Sequence, residues 1–314
     1  MPESGKNMGV THGRFAPSPT GLLHLGNLRT ALIAWLAARA DGGAFTVRME
    51  DLDRVTSSRD HATRQLDDLR AIGLDWDGEV VFQSDRFNRY HAAIDELAGK
   101  GLTYPCFCTR KEIRDAARAP HGAEVPYPGT CRNLSDAQRT ARTADGRRPV
   151  IRLRSNGEHI VFDDAVLGKV TGTVDDVVLC RNDGVPAYNL AVVVDDAAQG
   201  IDLVVRGDDL APSTPRQIHL GRLLGLPVPS YAHVPLTVGA DGERLAKRHG
   251  AVTLADLAQA GVSAADVLAM LAHSIGLADA AESVTPRQLV DRFSWGRLPR
   301  EPWTVHPRVG SRQS

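Results

Sequence analysis

A strand, a glycine-bearing turn and the start of a helix follow one another within residues 14–27, and this stretch constrains the fold most. Its sequence, RFAPSPTGLLHLGN, runs into LRTALIAWLAARA, whose apolar periodicity predicts a helix that ends at Gly42 and Gly43. Two prolines and two glycines force a tight path and leave room for a ligand beside the backbone. His24 and Asn27 fall on the first helical turn, where unpaired N–H groups and the helix dipole favour an anion. The stretch predicts a phosphate site, and the alternative is an ordinary strand-to-helix connection with a capping polar group.

Composition limits the class of protein. The 314 residues can bury a core large enough for two or three domains, and 42% hydrophobic with 24% charged residues is typical of a soluble globular protein. The formal net charge of −1 argues against extensive coating by nucleic acid. No apolar run is long enough to cross a bilayer, and the first residues lack a hydrophobic signal core. We therefore expect a cytoplasmic protein without a membrane partner.

Alternating strand and helix patterns predict an α/β fold with a doubly wound parallel sheet. The first half reads as a strand at 45–48 and helices at 57–72 and 85–100, and the second half reads as strands at 175–180 and 201–205 around a buried helix at 188–196. Glu50 and Arg206 each follow a predicted strand, at the edge where such sheets bind ligands. A guanidinium such as that of Arg206 can hold a carboxylate bidentately, and its competing interpretation is a pair with a neighbouring aspartate. For Asp51 and Asp53 a solvated acidic turn is the favoured interpretation.

Three of the four cysteines cluster in one segment, which in a reducing compartment indicates metal binding more than disulfide formation. Cys106 and Cys108 lie one residue apart, and Cys131 follows after a loop, so three thiolates can converge on one Zn²⁺. The fourth ligand is open: the candidates are Tyr127, His121, Glu124 and water, and on chemistry alone His121 is the first choice. The alternative is three reduced cysteines without a metal. Cys180 lies in an apolar strand pattern and is predicted to be a core residue.

Residues 238–250 form a glycine-flanked loop with several basic side chains, among them Arg244, Lys247 and Arg248. Such a loop could close over a polyphosphate, and a mobile surface loop is the alternative. Beyond it, helices are predicted at 253–260, 263–275 and 286–293, followed from Gly296 by a loosely ordered tail rich in proline and arginine.

Taken together, these motifs resemble those of the class I glutamyl-tRNA synthetases over about residues 10–260. The segment from His24 to Asn27 looks like the HIGH signature with an asparagine in the last position, and 244–248 looks like the KMSKS loop, with Lys247 as its one matching residue. The segments RFAPSPTG, RMEDLDR and VVRGDDL are similar to the glutamyl branch in particular.

The closer resemblance is to the truncated branch of this family, whose members attach glutamate to queuosine in tRNA(Asp). About 65 residues follow the KMSKS-like loop, too few for the helical anticodon-binding region of a full synthetase. The cysteine-rich insertion is similar to the zinc site of that branch, in which the tyrosine is a ligand. The resemblance thus implies one structural zinc held by Cys106, Cys108, Tyr127 and Cys131, in place of the His121 that chemistry alone favours.

The resemblance also implies a domain order. A Rossmann-like catalytic domain begins in residues 1–104, is interrupted by a zinc-containing insertion at 105–174, and continues through 175–250. A short helical region that resembles a stem-contact region, with a loosely ordered tail, fills 251–314, and no anticodon-binding domain is expected. We expect a monomer.

The implied reaction is that of a ligase-type enzyme. The α-carboxylate of L-glutamate attacks the α-phosphorus of ATP, which carries Mg²⁺, to give glutamyl-adenylate and pyrophosphate. A hydroxyl of queuosine at the wobble position of tRNA(Asp) then takes the glutamyl group and displaces AMP. By matching motifs, His24 and Lys247 are catalytic, ATP is held by these two with Gly26 and Asn27, and the residues that line the glutamate pocket are Arg14, Ala16, Ser18, Glu50, Tyr188 and Arg206. Two alternatives stay open: a truncated glutamyl-tRNA synthetase that charges the 3′ end of tRNA(Glu), and a catalytically inactive paralogue that binds RNA.

Overall fold

The computed structural model describes residues 11–109, 111–113, 127–245, 252–280 and 282–305. Within them the strands, in chain order, are β1 (Gly13–Phe15), β2 (Phe45–Met49), β3 (Val81–Phe82), β4 (Thr103–Cys106), β5 (Val150–Leu153), β6 (His159–Asp164), β7 (Gly168–Thr173), β8 (Val178–Cys180), β9 (Leu203–Gly207), β10 (Ser230–Val234), β11 (Thr237–Val238) and β12 (Trp303–Thr304). The helices are α1 (Leu25–Ala40), α2 (Arg59–Ala71), α3 (Phe87–Gly99), α4 (Asp136–Ala144), α5 (Tyr188–Ala198), α6 (Thr214–Leu223), α7 (Leu254–Gln259), α8 (Ala264–Ser274) and α9 (Pro286–Val290). Short 3₁₀ segments at Gln83–Asp85 and Asp208–Ser213 precede α3 and α6.

A seven-stranded sheet in the order β3-β2-β1-β9-β10-β6-β7 forms the centre of the described part of the chain. Neighbouring strands are parallel except β6 and β7, which form an antiparallel hairpin. The chain starts in the middle at β1, builds outward through β2 and β3, and later returns to the other side of β1 with β9 and β10. A reversal of this kind opens a crevice at the carboxyl ends of the two strands beside it. The predicted parallel α/β sheet is confirmed, and β7 makes it mixed.

Helix α1 is buried along most of its length. One side packs on β1 and β9, and α8 and α9 cover another, so apolar residues occur all round the helix instead of in a single stripe. The helix ends at Ala40 with Asp41 as its C-cap, and Gly42 then adopts a φ of 68°, which a residue with a Cβ adopts only under strain. The sequence therefore fixes both ends of the helix whose first turn faces the crevice.

The region predicted as an insertion contributes to two sheets. Strands β4, β5 and β8 form a separate antiparallel sheet, whereas the β6–β7 hairpin extends the central sheet because β6 pairs with β10 at Asp164 and Tyr231. The hairpin therefore reaches the strand next to β9, close to the crevice. The boundaries at 105 and 174 stay a prediction.

The C-terminal region contains three described helices near their predicted positions, although α9 ends earlier, at Val290. The tail from Gly296 was expected to be loosely ordered. Its described part, up to Val305, instead contains β12, which pairs in parallel with β11. Among the described residues, none of the helices combines the length and apolarity that a membrane span requires.

Candidate active site

A cleft of about 470 Å³ opens at the carboxyl ends of β1, β2 and β9. It lies at the crevice between β1 and β9, and the first turns of α1 and α5 form part of its wall. The residues predicted from sequence that line it are Arg14, Ala16, Ser18, His24, Gly26, Asn27, Glu50, Tyr188 and Arg206. Lys247 and its neighbours at 246–251 lie outside the described residues. The structure thus brings together every described residue that the sequence assigned to glutamate or ATP.

The loop between β1 and α1 is held from two sides. Gln65 on α2 is 2% exposed and donates from Nε2 to the carbonyl oxygens of Ser18 and Gly21, at 3.1 and 2.7 Å. The amide of Glu50 donates to the carbonyl oxygen of Pro17 at 2.9 Å. These backbone contacts fix the position of the loop and leave the Ser18 side chain exposed at the cleft.

His24 caps the N-terminus of α1 with its own ring. Nδ1 accepts the backbone N–H groups of Gly26 and Asn27 at 3.1 and 3.3 Å, and Asn27 Oδ1 accepts the amide N–H of His24 in return at 3.1 Å. Burial and, to a smaller extent, the charge of Arg244 lower the pKa of His24 to about 4. The ring is therefore neutral at pH 7, and since Nδ1 accepts, its proton must be on Nε2. His24 thus offers a neutral N–H donor at the cleft.

Gly26 allows this cap to form. A Cβ at this position would lie 3.0 Å from Nδ1 and Cε1 of His24 and 3.0 Å from Cβ of Thr237. The glycine keeps the ring close to the helix N-terminus, where backbone N–H groups and the helix dipole stabilise an anion.

Buried charges lie beneath the cleft. Arg48, fully buried in β2, donates to Asp196 Oδ1 at 2.8 Å and to Glu50 Oε1 at 3.3 Å, and the Nε of Arg14 lies 3.4 Å from the same oxygen of Asp196. Burial raises the pKa of Glu50, although Arg48 and Arg14 act in the opposite direction. Burial alone would raise the pKa of Asp196, but Arg48, Arg14 and Arg206 outweigh it and lower the pKa. Arg48 therefore holds Glu50 in the cleft wall directly, and it holds Arg14 indirectly through the shared partner Asp196.

Arg206, at the end of β9, is 5% exposed and is held through two of its nitrogens. Nε donates to Nε2 of His233 at 3.1 Å, and Nη2 donates to Oγ1 of Thr214 at 2.6 Å. The third nitrogen, Nη1, is buried and has no hydrogen-bond partner in the described part of the chain. An unpaired buried guanidinium N–H is costly, and Arg206 lines the cleft, so this arginine is suited to an anionic ligand. Tyr188 faces the same cleft, and burial raises the pKa of its phenol, so it is protonated.

The basic loop begins and returns beside the cleft. Arg244 lines the cleft and pairs with Asp209 at 2.7 Å, and Leu245 N donates to Thr237 O. The described chain resumes at Val252, whose carbonyl oxygen accepts the amide N–H of Leu25 at the start of α1. Both ends of the loop thus adjoin the helix tip that carries His24.

The three clustered cysteines form a compact group that could hold a metal. The Sγ atoms of Cys106, Cys108 and Cys131 lie within 4.8 Å of one another. The hydroxyl of Tyr127 lies 3.3 Å from the sulfur of Cys106 and 3.7 Å from that of Cys108, and it accepts the amide N–H of Cys131 at 2.8 Å. The other candidate ligands, His121 and Glu124, lie outside the described residues. Cys180 belongs to a separate apolar cluster, so its prediction as a core residue is confirmed.

The prediction of a solvated turn is wrong for one of its two aspartates. Asp51 is 7% exposed and accepts both the amide and the hydroxyl of Ser84, at 2.8 and 2.6 Å, so it joins β2 to the segment after β3. Asp53 is exposed, and its carboxylate accepts from the nearby Val55 amide and Thr56 hydroxyl, as expected for a solvated turn.

Sequence reasoning missed several residues behind the cleft, namely Arg48, Asp164, Asp196, Thr214 and His233. One signal was available for Arg48: an arginine within an otherwise apolar, buried strand must be paired, and Arg48 lies in such a strand. Its partner Asp196 lies on another element, and no local pattern identifies it.

The chain belongs to the tRNA synthetases of class I (E and Q), because the model of this family's catalytic domain matches residues 10–307. A crystal structure of a glutamate tRNA ligase from Elizabethkingia meningosepticum in complex with its amino acid aligns with a TM-score of 0.82 and 27% identity, over 94% of this chain and 67% of that one.

Within the family, the chain is similar to proteins named Glutamyl-Q tRNA(Asp) synthetase. One from Nocardia farcinica is 62% identical over 293 residues, which is 93% of this chain and 92% of the relative. Another, from Symbiobacterium thermophilum, is 50% identical over 304 residues, which is 92% of this chain and 94% of the relative. The resemblance to this branch, predicted from the motifs, is confirmed.

Proposed function

We propose that this protein activates L-glutamate with ATP as glutamyl-adenylate and transfers the glutamyl group to queuosine at the wobble position of tRNA(Asp). The observation that carries this proposal is the 62% identity, over nearly the whole of both chains, to a relative named for that reaction. The composition of the cleft is consistent with it, since glutamate brings two carboxylates and one ammonium group. The cleft offers the two buried arginines Arg14 and Arg206 and the carboxylate of Glu50, while its second carboxylate, Asp209, is paired with Arg244.

We assign the amino acid to the pocket formed by Arg14, Ala16, Ser18, Glu50, Tyr188 and Arg206. In this assignment Arg14 and Arg206 hold the two carboxylates, and Glu50 faces the ammonium group. Glutamine would leave one of the buried guanidinium groups without its countercharge, which is the physical basis for excluding it. The unpaired Nη1 of Arg206 is the strongest support for this part of the proposal.

We assign the phosphates of ATP to the first turn of α1. The backbone at Gly26 and Asn27 supplies the positive end of the helix, and the Nε2–H of His24 donates to an oxygen on which negative charge builds as the carboxylate attacks the α-phosphorus. Lys247 is assigned the opposite side of the phosphates, and this is supported by the position of the described residues next to the loop, Leu245 and Val252. Mg²⁺ accompanies ATP as a countercharge. No covalent intermediate with the protein is required, because the reaction depends on orientation and charge neutralisation.

We assign one structural Zn²⁺ to Cys106, Cys108, Tyr127 and Cys131. In a tetrahedral site with Zn–S bonds of about 2.3 Å, the sulfurs lie about 3.8 Å apart. The separation of 3.5 Å between Cys108 and Cys131, and those of 3.3 and 3.7 Å to the tyrosine oxygen, agree with this size. The group is remote in sequence from the cleft residues, so its role is to shape the region predicted as an insertion, which we propose contacts the RNA. We further propose that the protein acts as a cytoplasmic monomer.

Glutamate-dependent exchange of pyrophosphate into ATP tests the activation step. We expect exchange with glutamate, none with glutamine, and loss of exchange in Lys247→Ala. An RNA-binding paralogue without activity would give no exchange in the wild-type protein, and that result would refute the proposal.

A further inference from the structure

A chain of buried polar groups connects Arg206 in the cleft to the β6–β7 hairpin. Arg206 Nε donates to His233 Nε2, and the other ring nitrogen, Nδ1, lies 2.6 Å from Asp164 Oδ2. Asp164 ends β6 and His233 lies on β10, and the side chains of both are fully buried. Thr214, at the start of α6, completes the group with its hydroxyl 3.0 Å from His233 Nε2 and 2.6 Å from Arg206 Nη2.

The hydrogen bonds determine where the protons lie. Asp164 Oδ1 accepts the amides of Val166 and Leu167 at 2.9 Å each, and the amide of His233 lies 3.1 Å from both carboxylate oxygens. The carboxylate can only accept, so Nδ1 of His233 carries the proton that it donates to Oδ2. Burial lowers the pKa of His233, although Asp164 raises it, so the ring is neutral. Nε2 therefore presents a lone pair to Arg206, and the Thr214 hydroxyl donates to His233 while it accepts from Arg206.

We propose that Asp164 and His233, with Thr214, are positioning residues that fix the guanidinium of Arg206 in the wall of the cleft, where it binds a glutamate carboxylate. The proposal rests on the proposed function, since it concerns the amino acid that the cleft binds. This group occupies the N–H of Nε and one N–H of Nη2, and Nη1 has no hydrogen-bond partner among the described residues, so the guanidinium keeps donors for a ligand. The hairpin thus contributes to amino-acid binding through one residue, Asp164, that does not touch the ligand. The competing explanation is structural: Asp164 only closes the hairpin turn, and His233 only stacks on Tyr231.

Asp164→Asn separates the two explanations. Asparagine has nearly the same size and shape as aspartate, but it reverses the direction of the hydrogen bond between residue 164 and Nδ1 of His233. Three backbone N–H groups surround Oδ1, so the amide oxygen takes that position, and the NH₂ group faces Nδ1 of His233. The ring must then accept at Nδ1 and carry its proton on Nε2, against the N–H of Arg206. In the pyrophosphate exchange assay we expect the KM for glutamate to rise about tenfold or more while the KM for ATP stays within about twofold. If Asp164→Asn and the wild-type protein have the same KM for glutamate, the proposal is overturned. It is also overturned if the KM values for glutamate and for ATP rise by the same factor in Asp164→Asn.

A second pair of variants covers the case in which Asp164→Asn fails to fold. Thr214→Val removes the hydroxyl at nearly constant volume, and Thr214→Ser keeps it. We expect the KM for glutamate to rise about fivefold in the valine variant and to stay within about twofold of wild type in the serine variant. Equal KM values in the two variants would overturn the proposal. Failure of the proposed function itself is a separate result, because the wild-type protein would then show no glutamate-dependent exchange.

Discussion

His24 has two separable roles in this structure, and His24→Asn removes one of them. Nδ1 caps α1, whereas Nε2–H faces the cleft. Asparagine is as good an N-cap as histidine or better, and its Oδ1 can accept the same backbone N–H groups, but its side chain is too short to replace Nε2. His24→Ala removes both the cap and the donor.

The two variants, His24→Asn and His24→Ala, should have similar effects on the exchange rate and different effects on stability. Loss of one donor to the developing charge raises the barrier by about 3–4 kcal/mol, so exchange should fall by about 10²- to 10³-fold in both variants. Loss of the cap costs about 1 kcal/mol, so only the alanine variant should melt at a lower temperature, by about 2 °C. Pyrophosphate exchange at saturating glutamate and ATP, together with thermal unfolding, measures both effects. If the asparagine variant retains more than about a tenth of the wild-type rate, His24 does not supply the donor that the mechanism requires.

The lowered pKa of His24 adds a dependence on pH. The unfolded ring takes up a proton near its ordinary value of 6.5, and the folded ring does so only at about 4. The neutral ring therefore contributes stability that is fully present above pH 6.5 and is lost as the pH falls through 6.5 towards 4. Urea unfolding at about pH 7.5 and about pH 5 should show the wild-type protein losing stability relative to His24→Asn at the lower pH. An unchanged or opposite difference would contradict the assigned protonation state.

Three further predictions follow from other parts of the molecule. Arg48→Gln should lower the free energy of unfolding by about 3–5 kcal/mol in urea denaturation, because it leaves buried carboxylates without their cation; a loss below about 1 kcal/mol would contradict the network. Gly43→Ala should destabilise more than Gly42→Ala, since a Cβ at 43 would lie 1.7 Å from a backbone carbonyl oxygen, whereas one at 42 meets only the strain of a positive φ; similar melting temperatures would refute this. Metal analysis should find about one zinc per chain, lost in Cys131→Ser and kept in Cys180→Ser, and equal metal content in the two variants would exclude the assigned ligands.

Local sequence patterns were sufficient for the elements that carry the cleft. The apolar run after His24 predicted α1, and the strand pattern placed Glu50 and Arg206 at the carboxyl ends of parallel strands, where such ends meet. The other pocket residues were predicted from the resemblance to the synthetase motifs. The same patterns could not predict the supports behind the cleft. Asp164 meets His233 only because β6 pairs with β10, and that pairing joins segments far apart in the sequence.

Asp51 illustrates the same limit on a smaller scale. Its sequence context is an acidic turn, and only the fold reveals that Ser84 satisfies its carboxylate. A polar residue next to a strand is therefore predictable as a member of the sheet edge, but whether it faces the ligand or a neighbouring segment depends on tertiary contacts.

The most direct test of the central claim is the transfer of labelled glutamate to purified tRNA, measured with tRNA(Asp) that contains queuosine, tRNA(Asp) that lacks it, and tRNA(Glu). The account predicts ATP-dependent labelling of the queuosine-containing tRNA(Asp) alone. Labelling of tRNA(Glu) at its 3′ end, with none of queuosine-containing tRNA(Asp), would contradict it.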